Sequence, residues 1–458
     1  MERRVNDRPR LVVIGGDASG MSAASQARRA LGPEELEILA LERGTYTSYS
    51  ACGIPYLVGK TVSSPEELVA RTPEEFRRDF AIGVRTETEA TSIDVAERLV
   101  RTVDASGTVA EEPYDHLLIA TGAAPRRPHL PGADAEGVFG LRTLPDGIAL
   151  NAYLDGRAPS RAVVVGGGYV GLEMAEAFLE RGIEVTVVDG GAEPMGTLDA
   201  DMGALVREAM QAMGASFQPH TRVTGFETED GVVRRVLAQD AAYEADVVVM
   251  ALGVRPNSDL ARAAGLEIGP TGGIVVDRRM RTSAQGVWAA GDCVETFHRV
   301  SRAPVSVPLG THANKQGRVA GTGIAGGYAA FEGVLGTAIT KLCGLEVART
   351  GLNETEAATA GFVVETVVKE STLRAGYYPG AEAVTVKLLA ERGSGRLLGA
   401  QIVGGAGAGK RIDVLAVALW NEMTVHALAG MDLSYAPPFS PVWDPVQIAA
   451  RKLAERMG

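Results

Sequence analysis

The stretch RAVVVGGGYVGLEMAEAFLERGIEVTVVD, Arg161–Asp189, decides the fold class because it contains every part of one nucleotide-binding unit. It reads as a strand over Arg161–Val165, the glycine turn GGGYVG, a helix over Leu172–Arg181 and a strand over Glu184–Val188 that ends at Asp189. The glycines let backbone amides approach a pyrophosphate at the helix N-terminus, and the acid can accept a hydrogen bond from a ribose hydroxyl. The stretch therefore predicts a dinucleotide-binding domain.

The same layout occurs earlier in the chain, with one departure. A buried-type strand over Leu11–Ile14 is followed by the turn GGDASG, a helix-like run and a strand over Glu37–Leu41 that leads to Glu42. Asp17 stands where the middle glycine of GxGxxG is expected. Two complete units in one chain are hard to attribute to chance, so we expect two dinucleotide-binding domains.

The acid of the later unit indicates which nicotinamide nucleotide binds there. Asp189 is followed by Gly190 and Gly191, with no arginine placed to hold a 2′-phosphate. This pattern favours NADH, and NADPH stays an alternative.

Two further segments point to a flavin. LLIATGAAPRRP carries Ala120-Thr121-Gly122 after a strand, and TSAQGVWAAGDCVE carries a strand that ends in Gly291-Asp292. An aspartate at the end of a strand can accept hydrogen bonds from the ribityl hydroxyls of a flavin. The alternative for each segment is an ordinary turn.

Composition narrows the class of protein. The chain has 458 residues, and its net charge of −12 argues against nucleic acid as a partner. It contains neither an apolar run of transmembrane length nor a signal-peptide pattern, and its six histidines lack metal-ligand spacing. The three cysteines are far apart, which argues against a disulfide scaffold and fits the cytoplasm. We expect no metal site.

The stretch SYSACGIPYL places one of these cysteines, Cys52, just before a helix start favoured by Pro55. A helix N-terminus favours thiolate over thiol, but an unpaired cysteine is also often a small buried residue, and the stretch alone leaves both readings open. Cys293 is expected at a helix start, and Cys343, in TKLCGLEVA, within a buried strand. Both are interpreted as structural.

The chain resembles the pyridine nucleotide-disulfide oxidoreductase family, and within it the coenzyme A-disulfide reductase branch, which uses a single redox cysteine. The resemblance is carried by the two glycine motifs, SYSACGIPY, LLIATGAAPRRP, ALGVRPN, GVWAAGD, YYPG, GKRIDVLA and DLSYAPPFSPVWDP. It implies an FAD site formed by Gly15, Gly16, Gly20, Glu42, Arg43, Thr121, Gly122 and Asp292. It also implies an NADH site formed by Gly166, Gly168, Tyr169, Gly171, Glu173 and Asp189, with Tyr169 as a gate and Glu173 near the nicotinamide.

The same resemblance implies that Cys52 is the redox nucleophile, with a pKa below the free value of about 8.5. It further implies that Gln26, Arg29 and Ser48 hold coenzyme A, and that Tyr377 and Tyr435 are catalytic, one of them from a partner subunit. The alternative for Arg29 is that it only lies on a solvated helix face. The alternative for Tyr377 and Tyr435 is that they only pack against neighbouring residues. Ala51 replaces an asparagine that some members of the branch carry.

The expected architecture is α/β, with two Rossmann-like domains and an α+β dimerisation domain. We predict an FAD domain at 1–145 and 270–332, an NADH domain at 146–269 and an interface domain at 333–458 that forms a homodimer. The expected reaction is NADH-dependent reduction of coenzyme A disulfide or a related small disulfide or persulfide. The alternatives are an NADH oxidase or peroxidase that cycles through cysteine sulfenic acid, and a redox-responsive flavoprotein with little turnover.

Overall fold

The computed structural model describes residues 8–457, so residues 1–7 and 458, which belong to the predicted domain ranges, lie outside the described residues. The α/β fold class is confirmed by two parallel five-stranded sheets and a C-terminal antiparallel sheet with packed helices.

The helices and strands of the N-terminal half follow one another in short alternation. The first part contains β1 Arg10–Ile14, α1 Ala18–Ala30, β2 Glu37–Leu41, α2 Ile54–Val58, α3 Pro73–Phe80, β3 Gly83–Arg85, β4 Thr88–Asp94, β5 Leu99–Asp104, β6 Val109–Pro113, β7 His116–Ile119, β8 Ala123–Pro125, β9 Val138–Gly140 and α4 Leu144–Arg157. The next part contains β10 Arg161–Val165, α5 Tyr169–Glu180, β11 Glu184–Val188, α6 Ala200–Ala212, β12 Ser216–Gln218, β13 Val223–Glu229, β14 Val232–Ala238, β15 Ala242–Glu244, β16 Val247–Met250, β17 Val254–Pro256 and α7 Asp259–Ala263.

The C-terminal part has longer antiparallel strands. It contains β18 Val287–Ala289, β19 Thr296–Phe297, β20 Pro304–Val305, α8 Gly310–Ile324, β21 Ala338–Leu342, β22 Leu345–Gly351, α9 Glu354–Thr359, β23 Val364–Thr372, β24 Ala383–Glu391, β25 Leu397–Gly404, α10 Ile412–Trp420, α11 Val425–Ala429 and α12 Pro445–Met457.

The first parallel sheet has the order β18-β7-β1-β2-β3. All five residues of β1 are buried, as expected of a strand covered on both faces. Helix α1 packs closely on α8, because a Cβ added at Gly317 would lie 2.3 Å from the Ser19 carbonyl oxygen and one at Gly321 would lie 2.3 Å from that of Ala23. This contact holds α1, and with it the first glycine turn, against a helix from far along the chain.

The second parallel sheet has the order β12-β11-β10-β16-β9. Its central strand β10 pairs with β11 on one side and β16 on the other, so its C-terminal end and the glycine turn after it lie at the middle of a sheet edge. Strand β9 belongs to this second sheet although it lies before residue 146, the predicted start of the NADH domain. Strand β18, which follows that domain in sequence, belongs to the first sheet. The predicted domain boundaries stay predictions.

The antiparallel sheet has the order β21-β22-β25-β24-β23 and is bound to the second sheet's domain by a buried lysine. Lys387 on β24 has a side chain only 3% exposed, and its Nζ lies 3.1 Å from Asp199, 2.8 Å from Asp201 and 2.6 Å from Glu354. An isolated buried ammonium would be unstable, so this cluster ties the two regions together.

Three local expectations differ from the structure. Cys343 lies in the turn between β21 and β22 with φ +50° and is exposed, because the predicted single strand is a hairpin. Cys293 is buried, which agrees with a structural role, but it follows β18 in a turn instead of starting a helix, and the next helix, α8, begins only at Gly310. Helix α5 begins at Tyr169, directly after Gly168, rather than at Leu172.

Candidate active site

The first glycine turn is fixed by close backbone contacts. Gly15 has φ +110°, and a Cβ there would lie 2.1 Å from the Ala120 carbonyl oxygen. A Cβ at Gly20 would lie 1.9 Å from the carbonyl oxygen of Gly15. These two glycines are therefore required by packing alone. The turn leads into α1 with its first amides pointing toward the C-terminal edge of the sheet, where a pyrophosphate can bind.

The acid after β2 is held against this turn. Glu42 accepts a hydrogen bond from the Gly16 amide at 2.8 Å and another from the Gly44 amide at 2.7 Å. Arg43, the next residue, is exposed. The carboxylate keeps further acceptor positions for a ribose, so the geometry fits the FAD adenosine site that the resemblance implies.

The second glycine turn repeats this arrangement. Gly166 has φ +107°, and its Cβ would lie 2.5 Å from the Ala251 carbonyl oxygen. Asp189 accepts hydrogen bonds from the Gly167 amide at 2.6 Å and the Gly191 amide at 2.7 Å. A Cβ at Gly168 would meet no atom within 4 Å, so the helix start faces open space that a pyrophosphate could fill. The residues present therefore fit a second dinucleotide.

The segment with Thr121 and Gly122, which the sequence pattern assigns to flavin binding, follows β7 of the first sheet. Thr121 donates its hydroxyl to the Asn257 carbonyl oxygen at 2.6 Å, and the Asn257 side chain donates to the Thr121 carbonyl oxygen at 2.8 Å. Gly122 adopts φ +67° beside them. Asn257 belongs to the ALGVRPN motif but was not singled out as a site residue.

Asp292 has a cationic partner that the sequence did not indicate. Arg142 donates to its carboxylate at 2.6 Å and to the Ala123 carbonyl oxygen at 3.2 Å. The sequence around Arg142 does not identify it as the partner of Asp292, because the two residues are 150 positions apart. The contact places a positive charge at the position where the resemblance implies ribityl binding.

Cys52 lies at the start of a helix, as predicted. It occupies the 3-10 turn Ala51–Gly53, and α2 follows with Pro55 in its first turn. The Cys52 side chain is exposed, in contrast to the buried Cys293, so the reading of Cys52 as a small core residue does not hold.

Groups from four distant segments determine the electrostatics of this thiol. Partial desolvation by the surrounding protein raises the pKa of Cys52, Glu173 raises it further, Arg142 lowers it, and Asp292 and Asp17 add smaller increases. The direction is opposite to the expected lowering, because three acids face the thiol and α2 has only five residues. Asp17 of the first glycine unit and Glu173 on the helix of the second unit therefore both belong to the surroundings of Cys52.

The NADH side of the site receives residues from the C-terminal sheet. Glu173 on α5 accepts a hydrogen bond from the Thr340 hydroxyl at 2.9 Å, and burial raises the pKa of this carboxyl. Lys341 pairs with Glu176 one turn further along α5, and its ammonium lies 5.8 Å from the centre of the Tyr56 ring. Neither Thr340 nor Lys341 was predicted, since only tertiary packing brings β21 to α5.

Tyr169, the predicted gate, is the first residue of α5 and is partly buried. Burial raises the pKa of its phenol, so the hydroxyl stays protonated at neutral pH. The position directly after the open Gly168 agrees with the expected place of a gate, and the gating itself stays a prediction.

The residues expected to hold coenzyme A lie around the first glycine unit. Gln26 is half-buried and Arg29 exposed, both on α1, and the Ser48 amide donates to the Gly16 carbonyl oxygen at 3.0 Å. Arg28 behaves differently from its neighbour, because its guanidinium donates to the Leu36 carbonyl oxygen at 2.7 Å and so holds a loop. Arg29 is therefore the arginine of this pair that is available to a ligand.

Tyr377 and Tyr435 lie together on the surface of the C-terminal domain. Their side chains are exposed, and the Ala375 amide donates to the Pro437 carbonyl oxygen at 3.0 Å, which joins the two segments. Slight desolvation and the neighbouring Tyr377 hydroxyl raise the pKa of Tyr435. Their catalytic role stays a prediction.

Residues 8–457 contain no group of three or more potential metal ligands, and none of their helices is long and apolar enough to span a membrane.

Family comparison agrees with the geometry. Residues 9–317 match the family described as "Pyridine nucleotide-disulphide oxidoreductase", and residues 337–445 match the dimerisation domain of the same family. A similar characterised protein is the NAD(P)H sulfur oxidoreductase (CoA-dependent) of Pyrococcus abyssi, 38% identical over 98% of this chain and 99% of that protein. An NADH oxidase of Methanocaldococcus jannaschii is 34% identical over 98% of this chain and 99% of its own length.

Solved structures show the same likeness. An NAD-dependent persulfide reductase from A. fulgidus superimposes with a TM-score of 0.95 at 42% identity, covering 98% of this chain and 83% of that chain. The reduced CoADR-RHD of Bacillus anthracis superimposes with a TM-score of 0.95 at 36% identity, covering 98% of this chain and 81% of that chain.

Proposed function

The chain belongs to the pyridine nucleotide-disulphide oxidoreductase family, and we propose that it uses NADH to reduce coenzyme A disulfide, or a related persulfide, through FAD and Cys52. The resemblance inferred from the motifs is thereby confirmed, as is an FAD- and NAD(P)H-dependent oxidoreductase activity. The observation that supports the specific reaction is the position of Cys52. An accessible thiol faces Asp17 and Asp292 of the FAD half and Glu173 of the NADH half.

Bound FAD would supply two-electron transfer from NADH to sulfur. The residues that would hold it are the first glycine turn, Glu42, the Thr121 segment and Asp292. Gly166–Gly171 and Asp189 would hold NADH, with the 2′-hydroxyl of its ribose on the carboxylate. The two turns start on separate parallel sheets, and Cys52 lies where groups from both meet.

Cys52 carries out the sulfur chemistry. Its thiolate attacks one sulfur of the substrate, the substrate S–S bond breaks, and the first thiol leaves with a proton. The second half of the substrate stays on Cys52 as a mixed disulfide. Two electrons from NADH and one further proton then break that bond and release the second thiol. The net reaction is NADH + H⁺ + RSSR → NAD⁺ + 2 RSH.

The surface near the first glycine unit suits a phosphorylated thiol. Arg29 is an exposed cation on α1, with Gln26 three residues before it and Ser48 beside the turn. A guanidinium is well suited to phosphate groups such as those of coenzyme A. We place the protein in the cytoplasm as a homodimer, since the three free cysteines fit a reducing compartment and a dimerisation domain is present.

The test compares two exposed cysteines. Cys52→Ser should retain FAD and be reduced by NADH as fast as wild type in stopped flow, because that transfer needs no thiol. Its turnover with coenzyme A disulfide should fall by about three orders of magnitude or more, since serine cannot form the mixed disulfide. Cys343→Ser, which removes another exposed thiol, in a hairpin turn, should behave like wild type. Normal coenzyme A disulfide turnover in Cys52→Ser would refute the proposal.

The likeness to an NADH oxidase supports a second candidate, oxygen or peroxide reduction through a sulfenic acid at Cys52. The same variants distinguish it. Under this alternative the wild type consumes oxygen or peroxide faster than coenzyme A disulfide, and mass spectrometry with a sulfenic acid probe labels Cys52.

A further inference from the structure

Asp17 carries a side chain at the position where the second glycine unit has a glycine that faces open space. It is the third residue of GGDASG, as Gly168 is of GGGYVG, and both residues are the N-caps of the helices that follow. A Cβ at Gly168 would meet no atom within 4 Å, in front of the helix start. The equivalent direction in the first unit carries a carboxyl group.

This carboxyl group does not serve the usual purposes of an aspartate at a helix start. It makes no side-chain capping hydrogen bond to α1 and interacts there only with the amide of the first residue, Ala18, so the following helical amides stay available to a ligand. Its hydrogen-bond partner is the amide of Tyr49, at 3.2 Å, in the loop that passes over the turn. The nearby guanidinium of Arg142 is paired with Asp292 instead.

The charged and titratable groups around Asp17 come from several elements. Glu42 approaches after β2, Tyr49 and Cys52 lie on the covering loop, and Arg142 precedes α4. Burial raises the pKa of Asp17 to about 6, and Glu42 adds to the increase, while the amides of Tyr49 and Ala18 and the charge of Arg142 oppose it. The group therefore changes charge close to neutral pH.

We propose that Asp17 contacts the pyrophosphate of FAD as a neutral carboxylic acid, and that the protein consequently holds FAD more tightly at acidic than at alkaline pH. The inference rests on the FAD site of the proposed function. A pyrophosphate on the α1 amides brings two negative charges next to the carboxyl group, which favours its protonated form. As an acid it can donate a hydrogen bond to a phosphate oxygen, whereas the carboxylate repels it.

The sign of the pH dependence follows from proton linkage. Below about pH 6 Asp17 is already protonated, so pH has little effect on FAD affinity through this group. Above that pH, binding must take up a proton, and the dissociation constant of FAD rises by up to about tenfold per pH unit. The increase stops where the carboxyl group of the complex itself loses its proton.

The experiment measures FAD release on serial dilution of the holoenzyme, from flavin fluorescence, between pH 5.5 and 8.5 in steps of about half a unit. For wild type, the dissociation constant should rise by roughly tenfold or more from pH 6 to pH 8. Asp17→Asn and Asp17→Gly should show a nearly flat profile and bind FAD more tightly than wild type at pH 8. Asp79→Asn, which removes an exposed acid on α3, should keep the wild-type profile.

Calorimetry in buffers of different ionisation enthalpy gives an independent readout. Rebinding of FAD at pH 7.5 should take up close to one proton in wild type and clearly less in Asp17→Asn. Equal pH profiles and equal proton uptake in the two proteins would overturn the role of Asp17 while leaving the proposed function in place. Failure of wild type to bind FAD at any pH would instead overturn the proposed function. Asp17→Gly restores the motif's own residue, so the comparison holds even if asparagine is poorly accommodated.

Discussion

At the scale of single residues, the surroundings of Cys52 do not favour its reactive form. Acidic groups from α5 and from the FAD half face the thiol, and the one opposing cation, Arg142, is shared with Asp292. A raised pKa means that the thiolate fraction at neutral pH is small and grows as pH increases. Reactivity of Cys52 should therefore rise through the alkaline range.

Glu173→Gln tests this electrostatic account. The substitution removes the negative charge that most strongly raises the Cys52 pKa, so the thiolate fraction at pH 8 should increase. We expect alkylation of Cys52 by iodoacetamide to become about two- to tenfold faster, the range for a pKa decrease of up to one unit. The rate is followed by mass spectrometry of the Cys52 peptide. Glu180→Gln, an exposed acid on the same helix, should leave it unchanged, and equal rates in all three proteins would contradict the account.

At the scale of elements, the two strand-turn-helix units use the same device. In each, the acid after the second strand accepts a hydrogen bond from the amide of the second glycine, which orients a carboxylate toward the ligand side of the turn. Asp189 has only Gly190 and Gly191 after it, and a Cβ at Gly190 would meet no atom within 4 Å. The ribose site thus has a negative charge, and the two residues that follow Asp189 supply no cation to offset a 2′-phosphate.

Asp189 should make the enzyme prefer NADH to NADPH. Asp189→Asn keeps the size of the side chain and an acceptor for the glycine amides but removes the charge. We expect the ratio of kcat/KM for NADH to that for NADPH to fall by about tenfold or more, since hydrogen bonds to charged groups contribute about 1.5–3 kcal/mol. Stopped-flow flavin reduction with each nucleotide measures the ratio. Asp240→Asn, an exposed acid in the same sheet domain, serves as the control; an unchanged ratio in Asp189→Asn would show that this acid does not face the ribose.

At the scale of the whole molecule, the C-terminal domain presents apolar side chains that a single chain leaves uncovered. The two paired tyrosines are exposed, Tyr377 by 78% and Tyr435 by 48%. Three further exposed side chains follow Tyr435 in sequence: Phe439 75%, Val442 67% and Trp443 49%. Clusters of this kind are typical of protein interfaces. Together with the dimerisation domain, they favour a homodimer, and the approach of these tyrosines to the site of the partner stays a prediction.

Phe439→Asp should weaken that dimer. An unpaired carboxylate in an apolar interface is strongly unfavourable, so light scattering should show a shift from dimer to monomer at micromolar concentration. If a tyrosine crosses to the partner site, disulfide turnover should fall with dissociation while NADH reduction of the flavin persists. Tyr328→Asp, at a side chain 79% exposed outside the C-terminal domain, should stay dimeric. A wild type that is monomeric at these concentrations would refute the proposed assembly.

Much of this architecture follows from local pattern. The predicted strands Glu37–Leu41, Arg161–Val165 and Glu184–Val188 have the same bounds in the structure, because apolar runs bordered by glycine turns allow few other conformations. The helix start at Cys52 is also local, since Pro55 favours it. Cys343 was assigned to the wrong element because a two-residue hairpin turn is hard to distinguish from a continuous apolar strand.

The sequence by itself determined the two dinucleotide-binding units, the order of their parts and the single cysteine at a helix start, since each depends on residues within about thirty positions of one another. Only the tertiary structure decided the chemical surroundings of that cysteine. Arg142 reaches Asp292 across 150 positions, and Thr340 reaches Glu173 across 167. Such contacts depend on how separate elements pack, and the direction of the Cys52 pKa depends on them, because burial and neighbouring charges act through space rather than along the chain.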